Sequence, residues 1–371
     1  MAPSLALWGN DLYTGKKSYD IVGHRRRWYT ISAVLLILTT LLMLVRGLNP
    51  GIEFRGGAEF TVPGVSEAQQ QPALDAVAEV LPDAEVPGVA IVGGDTVRVQ
   101  TSELEVAEAR ALAQALGDAY GVPATDISSS SIGPTWGADV TSKALRGLVI
   151  FLLLVSVVMT LYFRAWRMAA AALVALAHDL VITVGLYSGV GWEVSPATVI
   201  GFLTILGYSI YDTVVVFDKV RENTEKVLEQ RRYTYAEMAN LAVNQTLVRS
   251  INTSVVALLP VSAILFIGAF MLGAGTLRDI ALALFIGMIV GTFSSIFVAT
   301  PFEVTLRQKE PAIAEHTAMV LKARADAVAR AGAEGATGPV VHVGAPVPGT
   351  HLGTAAQPRR RKPNRPAGRR P

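Results

Sequence analysis

Cysteine is missing altogether from the 371 residues. That excludes a disulfide framework, a thiolate metal centre, a cysteine nucleophile and thiol redox chemistry. Histidine is scarce, five in all, and only His178 sits inside an apolar run. Neither a histidine-rich metal site nor a Ser-His-Asp triad is supported on that basis. Phosphate-binding and hydrolytic signatures are lacking too. Gly15-Lys16-Lys17 has Asn10 where a P-loop places its first glycine and Lys17 where it places Ser or Thr; Gly207-Tyr208-Ser209-Ile210-Tyr211 lacks the closing glycine of a nucleophile elbow; and no His-Glu-x-x-His occurs. An enzyme that makes or breaks covalent bonds is therefore not expected, and no metal or other cofactor is. Charge is thin as well: 17% of residues are charged against 51% hydrophobic, too apolar a balance for an ordinary soluble globule.

What the chain does have is long apolar runs. Six approach the roughly 20 residues that cross a ~30 Å hydrocarbon core: Trp28 to Val45, Leu145 to Phe163, Met168 to Ser188, Pro196 to Phe217, Ile251 to about residue 270 and Leu277 to Thr300. Only helices satisfy their own backbone in lipid at such lengths, so the expected fold class is an α-helical polytopic membrane protein of six transmembrane helices. Arg46-Gly47-Leu48-Asn49-Pro50 after the first run offers no small-x-small cleavage site, which makes that run an expected uncleaved anchor. Cations cluster before the first span (Lys16, Lys17, Arg25, Arg26, Arg27), between the second and third (Arg164, Arg167), between the fourth and fifth (Lys219, Arg221, Lys226, Arg231, Arg232, Arg249) and after the sixth (Arg307, Lys309). The positive-inside rule then puts residues 1–27, the loop 218–250 and residues 301–371 on the cytoplasmic side.

Residues 46–143 carry few cations and belong on the outer side. Ile52 to Val62 reads as a strand, Ser66 to Leu81 as a helix with Leu74, Val77, Ala78 and Leu81 on one face, and Val86 to Val92 as a strand. Gly93-Gly94-Asp95 is a hairpin turn into Thr96 to Gln100. Ser102 is the expected cap of a second helix with Leu104, Ala107, Leu112, Ala115 and Leu116 inward, and a last strand lies near Asp126 to Ile132. The order βαββαβ is that of a small α+β, ferredoxin-like extracytoplasmic domain. After Glu303 an amphipathic stretch reaches about Gly332, and the Pro-, Gly- and Arg-rich remainder reads as a largely disordered basic tail. A solvated tail that orients the chain is the plainer reading of it; its arginines also suit anionic membrane lipids, and without interleaved aromatics no nucleic-acid partner is expected.

Ionisable groups inside apolar spans are the candidates for function, since a charge at membrane depth pairs, faces the bundle interior or lines a water path. These are Asp212 in the fourth span, His178 and Asp179 in the third, and Arg249 at the entry to the fifth. Tyr208 and Ser209 share a stripe with Asp212, and Asn252, Thr253 and Val256 share one with Arg249. An Asp212–Arg249 pair suits proton transfer, because desolvation and a nearby guanidinium pull a carboxyl in opposite directions. A purely structural ion pair fits the spacing equally well. Of His178 and Asp179, neighbours on a helix, only one is expected to face such a path. Gly185 with Gly189 and Gly287 with Gly291 are small-xxx-small pairs, the mark of close helix packing.

Five stretches resemble the SecF family of the bacterial Sec protein-export machinery, within the resistance-nodulation-division type of membrane proteins. They are Gly51-Ile52-Glu53-Phe54-Arg55-Gly56-Gly57; Ile132-Gly133-Pro134 with Gly137; Leu176-Ala177-His178-Asp179; the long run from Gly207 through Asp212 to Asn223; and Asn244 through Arg249 to Ser254. Tyr211 stands where the family commonly has Asn, and Glu53 where it commonly has Asp. The resemblance implies that Asp212 and Arg249 lie on a proton path and that the outer domain engages emerging preprotein. It also implies a partner, SecD, with a second six-span half, and association with the SecYEG channel, the SecA motor, YajC and YidC. The expected function is a subunit that, with SecD, uses the proton motive force in late preprotein translocation. A half-size proton-coupled exporter of lipid or small hydrophobic solutes, and a scaffold indifferent to Asp212 and Arg249, are the alternatives.

Overall fold

The computed structural model describes residues 5–14, 16–65, 68–82, 87–92, 94–269 and 275–333. In chain order its helices and strands are α1 (Leu5–Tyr13), α2 (Arg25–Arg46), β1 (Asn49–Pro50), α3 (Ile52–Arg55), β2 (Gly57–Val62), α4 (Gln71–Val80), β3 (Gly88–Val92), β4 (Thr96–Thr101), α5 (Val106–Tyr120) and β5 (Ser128–Ile132). There follow α6 (Pro134–Phe163), α7 (Trp166–Val190), β6 (Glu193–Val194), α8 (Pro196–Thr224), α9 (Tyr235–Ala263), α10 (Gly275–Ser294), α11 (Thr300–Arg307) and α12 (Pro311–Ala333). Wide π-helical turns at Ile264–Ala269 and Ser295–Ala299 prolong α9 and join α10 to α11.

Six helices are long and apolar enough to span a membrane: α2, α6, α7, α8, α9 with its π turn, and α10 continued into α11. They outrun the expected limits. The fourth span continues to Thr224 and the fifth begins at Tyr235, so most of the segment 218–250 is helix and not loop. Thr234 and Glu237 close a capping box that starts α9 there. α7 is the most enclosed span, whereas α2 and α6 bury few of their side chains. Glycine sets the closest approaches. A Cβ at Gly185 would stand 2.9 Å from the Thr39 carbonyl oxygen of α2, Gly189 backs onto Leu42, and Gly287 onto Ile205 of α8.

In the small domain the sheet order is β3-β4-β2-β5, every pair antiparallel. With α4 and α5 between the strands, this is the ferredoxin-like arrangement expected from the sequence. Phe60, Val62, Val97 and Val99 meet Ala73, Val77, Leu112 and Leu116 in its core. Several local expectations need correction. The expected strand from Ile52 is interrupted: residues 52–55 form a helical turn, and only past Gly56 (φ 81°), at Gly57 (φ 138°), does β2 begin. Those positive φ values suit glycine alone, which accounts for the Gly-Gly pair. α4 starts at Gln71 and buries Ala73, Ala76 and Val77, leaving Ala78 exposed. α5 is capped by Glu105 with Glu108, not by Ser102. Gly93 of the expected hairpin lies outside the described residues.

The stretch expected to reach about Gly332 is helical, α11 and α12 carrying it to Ala333. Arg324 fixes α12 to α9 through two bonds to Glu237, 2.7 and 2.8 Å. The arginine-rich end lies outside the described residues. α1, which the polar N-terminus did not announce, packs on α9, and Asn244 holds the following chain through Tyr19 (2.7 and 2.9 Å).

Candidate functional site: a polar seam between four spans

α7 brings His178 and Asp179 into the bundle, where they are 4% and 1% exposed. Both face inward, in contrast to the expectation that only one does: His178 Nδ1 lies 3.1 Å from Asp179 Oδ1, and the ring stacks on Phe293. Asp179 Oδ2 accepts from Ser209 Oγ of α8 (2.6 Å) and Ser294 Oγ of α10 (2.8 Å). With the imidazole proton on Nδ1, three donors converge on one carboxylate. Gly291 makes room for this, since a Cβ there would stand 3.1 Å from Ser209 Cβ and 3.5 Å from Asp179 Oδ2.

One helical turn beyond Ser209, Asp212 is also buried. Its Oδ1 accepts from Ser250 Oγ at 2.7 Å, while Oδ2 is buried without a hydrogen-bond donor. Ser254 and Thr292 hydroxyls meet at 2.6 Å, and Thr213 and Ser295 hydroxyls at 2.9 Å, so α8, α9, α10 and the turn after it are stitched together by small polar groups. Asp179 is saturated by donors; Asp212 is half satisfied. Tyr208 places a buried hydroxyl on the same stripe without a hydrogen bond.

The expected Asp212–Arg249 ion pair is not formed. A helix brings only part of its circumference to a neighbour, and α9 presents Ser250 and Ser254 to Asp212. Arg249 and Asn252 are exposed, Val256 is 67% exposed, and Thr253 is half-buried with its hydroxyl bonded to the Arg249 carbonyl (2.8 Å). Ser209 likewise serves Asp179 and not Asp212. Ser250 and Ser254 of α9 and Thr292 and Ser294 of α10 were not among the expected site residues, because singly they resemble ordinary helix residues. The run Thr292-Phe293-Ser294-Ser295 in an apolar span was the available signal.

A second cluster joins the bundle to the small domain. Ser188 Oγ donates to the Gly47 carbonyl (2.6 Å), Arg46 Nη1 donates to the Gly189 carbonyl (2.5 Å), and β1 pairs in parallel with β6. β6 carries Glu193, whose carboxylate takes Gln100 Nε2 (2.6 Å) and Arg98 Nη1 (3.4 Å) from β4. Glu59 meets the same two side chains, at 2.9 and 3.6 Å. Glu53 points an unpartnered buried Oε2 at this group. Burial pushes its carboxyl above the usual carboxylate range, and Glu193 and Glu59 add like charge against the single Arg98. The Phe54 carbonyl packs against Gly137 of α6, close enough that a Cβ there would stand 2.5 Å from its oxygen.

Comparison with known proteins matches this architecture. Residues 113–309 fit the family described as "Protein export membrane protein SecD/SecF, C-terminal", and residues 41–63 fit the SecD/SecF GG motif. The protein translocase subunit SecF of Streptomyces coelicolor is 44% identical over 335 residues, covering 88% of this chain and 87% of that one. The chain belongs to the SecF family. SecF of Mycobacterium tuberculosis strain H37Rv is 43% identical, covering 84% of this chain and 72% of its own. The crystal structure of SecDF from Thermus thermophilus, a translocon-associated membrane protein, superposes with a TM-score of 0.67 at 32% identity. That likeness covers 80% of this chain but 39% of SecDF, so the chain spans well under half of that protein's length.

Proposed function

We propose that this SecF-family subunit works with SecD as a proton-driven accessory of the Sec translocase, promoting late steps of preprotein movement across the bacterial plasma membrane. The observation that carries the reading is Asp212: a carboxyl buried between α8 and α9, held by Ser250 on one oxygen and with no donor on the other. Such a group has a place for a proton and a neighbour whose hydrogen bond changes when the proton arrives. One charge crossing about 100 mV releases about 2.3 kcal/mol, enough to repack a hydroxyl-lined seam.

Movement at α7 and α8 reaches the outer domain by a short route, through the loop that joins them. β6 in that loop pairs with β1, and Glu193 grips β4. Arg249 and Asn252 lie on the exposed side of α9, a polar face at membrane depth that calls for a protein partner. SecD supplies the second half-bundle in this reading, Arg249 serving at the shared interface, and SecYEG, SecA, YajC and YidC complete the assembly. The distribution of Lys and Arg supports an orientation with both termini in the cytoplasm and the small domain outside.

The test is export kinetics of a secreted reporter in cells whose sole copy carries Asp212→Asn, with membrane level and SecD co-purification unchanged. Export slowed to the rate of a deletion strain is the expected result. Export at the wild-type rate would reduce Asp212 to a structural residue and leave a scaffold role.

A further inference from the structure

α6 ends and α7 begins around Arg164 and Ala165, at the end of the bundle away from the small domain. A cavity of about 230 Å³ opens beside this turn. Arg164, Arg167, Arg221 and Arg307 line it, and no carboxylate does. Glu310 neutralises part of the charge from outside, holding Arg167 at 2.6 Å and Arg307 at 2.9 Å, and Glu303 lies 3.4 Å from Arg307. Arg164 and Arg221 have no ion pair among the described residues, and both are exposed; Arg221 only touches the Tyr162 carbonyl at 3.3 Å. α7 adds the positive end of a 25-residue helix to the same space, through Trp166, Arg167 and Met168.

Two further observations point to a ligand. Arg164 has φ 50°, the single non-glycine with positive φ among the described residues. A left-handed helix end is ordinarily glycine's place, and a side chain kept there against that preference marks a functional hypothesis. The surroundings give the ligand's other half: Leu161 and Val158 on α6 turn outward at 71% and 53% exposed, and Tyr162 and Trp166 flank the opening at 53% and 60%. Exposed aliphatics beside a ring of Tyr and Trp is the pattern of an acyl-chain surface meeting a headgroup layer.

We propose that this cavity holds the phosphate group of an anionic membrane phospholipid, with Arg164 and Arg221 as its free cations and the acyl chains lying along the outer face of α6. Cations that merely orient a chain need no cavity, no left-handed arginine and no convergence of three segments. A water occupies about 30 Å³ of liquid, so the space holds roughly eight and admits a phosphodiester.

The test uses the full chain purified in detergent and delipidated, titrated with phosphatidylglycerol, phosphatidylcholine or inorganic phosphate and read by native mass spectrometry. Phosphatidylglycerol is expected to bind in preference to phosphatidylcholine. Arg164→Gly with Arg221→Gln should weaken it about 30-fold, about 5-fold for each charge removed. Arg164→Gly alone relaxes the turn while deleting a cation, so its 5-fold loss tests the site even if the double variant folds poorly. Equal binding of the two lipids, or phosphatidylglycerol binding unchanged in Arg164→Gly, overturns the proposal. Displacement of the lipid by millimolar inorganic phosphate assigns the pocket to a soluble phosphate and overturns the lipid source.

Discussion

Removing the two serine donors to Asp179 separates a carboxylate that organises the bundle from one that merely sits in it. A hydrogen bond to a charged group is worth about 1.5–3 kcal/mol in soluble proteins, whereas interhelical bonds within membranes average about 0.6 and reach about 1.7. Full burial of Asp179 and the short 2.6 Å bond favour the upper membrane value for Ser209. Ser294 sits at 2.8 Å from Asp179 and also 3.2 Å from the Gly291 carbonyl, a local alternative that weakens its contribution. Ser209→Ala is therefore expected to cost about 1.5 kcal/mol and Ser294→Ala about 1 kcal/mol. The double variant leaves a buried carboxylate with His178 as its one donor and should exceed the sum of the singles by about 0.5 kcal/mol or more. Equilibrium unfolding of the three variants in micelles measures all three quantities. Single losses below about 0.3 kcal/mol that simply add would refute the picture of Asp179 as the hub of the seam.

The Glu53 carboxyl is raised in the folded chain, so its ionised form weighs against folding: the cost is absent below the ordinary value of 4.5 and grows as pH rises through the raised one. Glu53→Gln should accordingly raise the melting temperature near pH 8 and leave it unchanged near pH 4; equal shifts at both would contradict this. Gly185→Val drives a side chain into the Thr39 backbone and is expected to destabilise the α2–α7 contact by about 1–3 kcal/mol, seen as a lower midpoint in denaturant. Arg324→Ala removes both bonds to Glu237 and one to the Arg232 carbonyl, so α12 should detach at a cost of about 1 kcal/mol and become the first site cut in limited proteolysis. Unchanged cleavage would mean that apolar packing alone holds it.

Much of the fold was legible because two periods dominate the chain. Runs such as Val149 to Val158 have no reading but a lipid-facing helix, and the alternation through Thr96 to Gln100 fixes a strand with Val97 and Val99 inward. Apolar runs mark where lipid begins and not where a helix does, which is why α8 and α9 continue well past their apolar limits. The turn at residues 52–55 escaped for a different reason: Ile and Phe favour strands, and the φ reversal at Gly56 and Gly57 is visible only in three dimensions. For the site, the buried acids were plain from their cost in an apolar setting. Their partners were not, because charge suggests charge, and Asp212 took a serine one residue from the expected arginine. Glu303 was read as the edge of the tail, yet it is fully buried and bonded by the Tyr235 hydroxyl at 2.6 Å.

That last residue gives the wide turn at Ser295–Ala299 a meaning in angular phase. Ser294 reaches Asp179 and Glu303 reaches Tyr235, and both are 0% exposed. They are nine residues apart. In an uninterrupted α-helix of 3.6 residues per turn they would point about 180° away from each other, one inward and one out. The extra residue of a π turn takes back about 100°, bringing them to within about 80° of one bearing. The sixth span therefore behaves as two helices clocked against each other by one inserted residue. Deleting one residue from 295 to 299 would leave the two eight residues apart in a regular α-helix, again about 80° from one bearing, so both polar partners should survive the straightening.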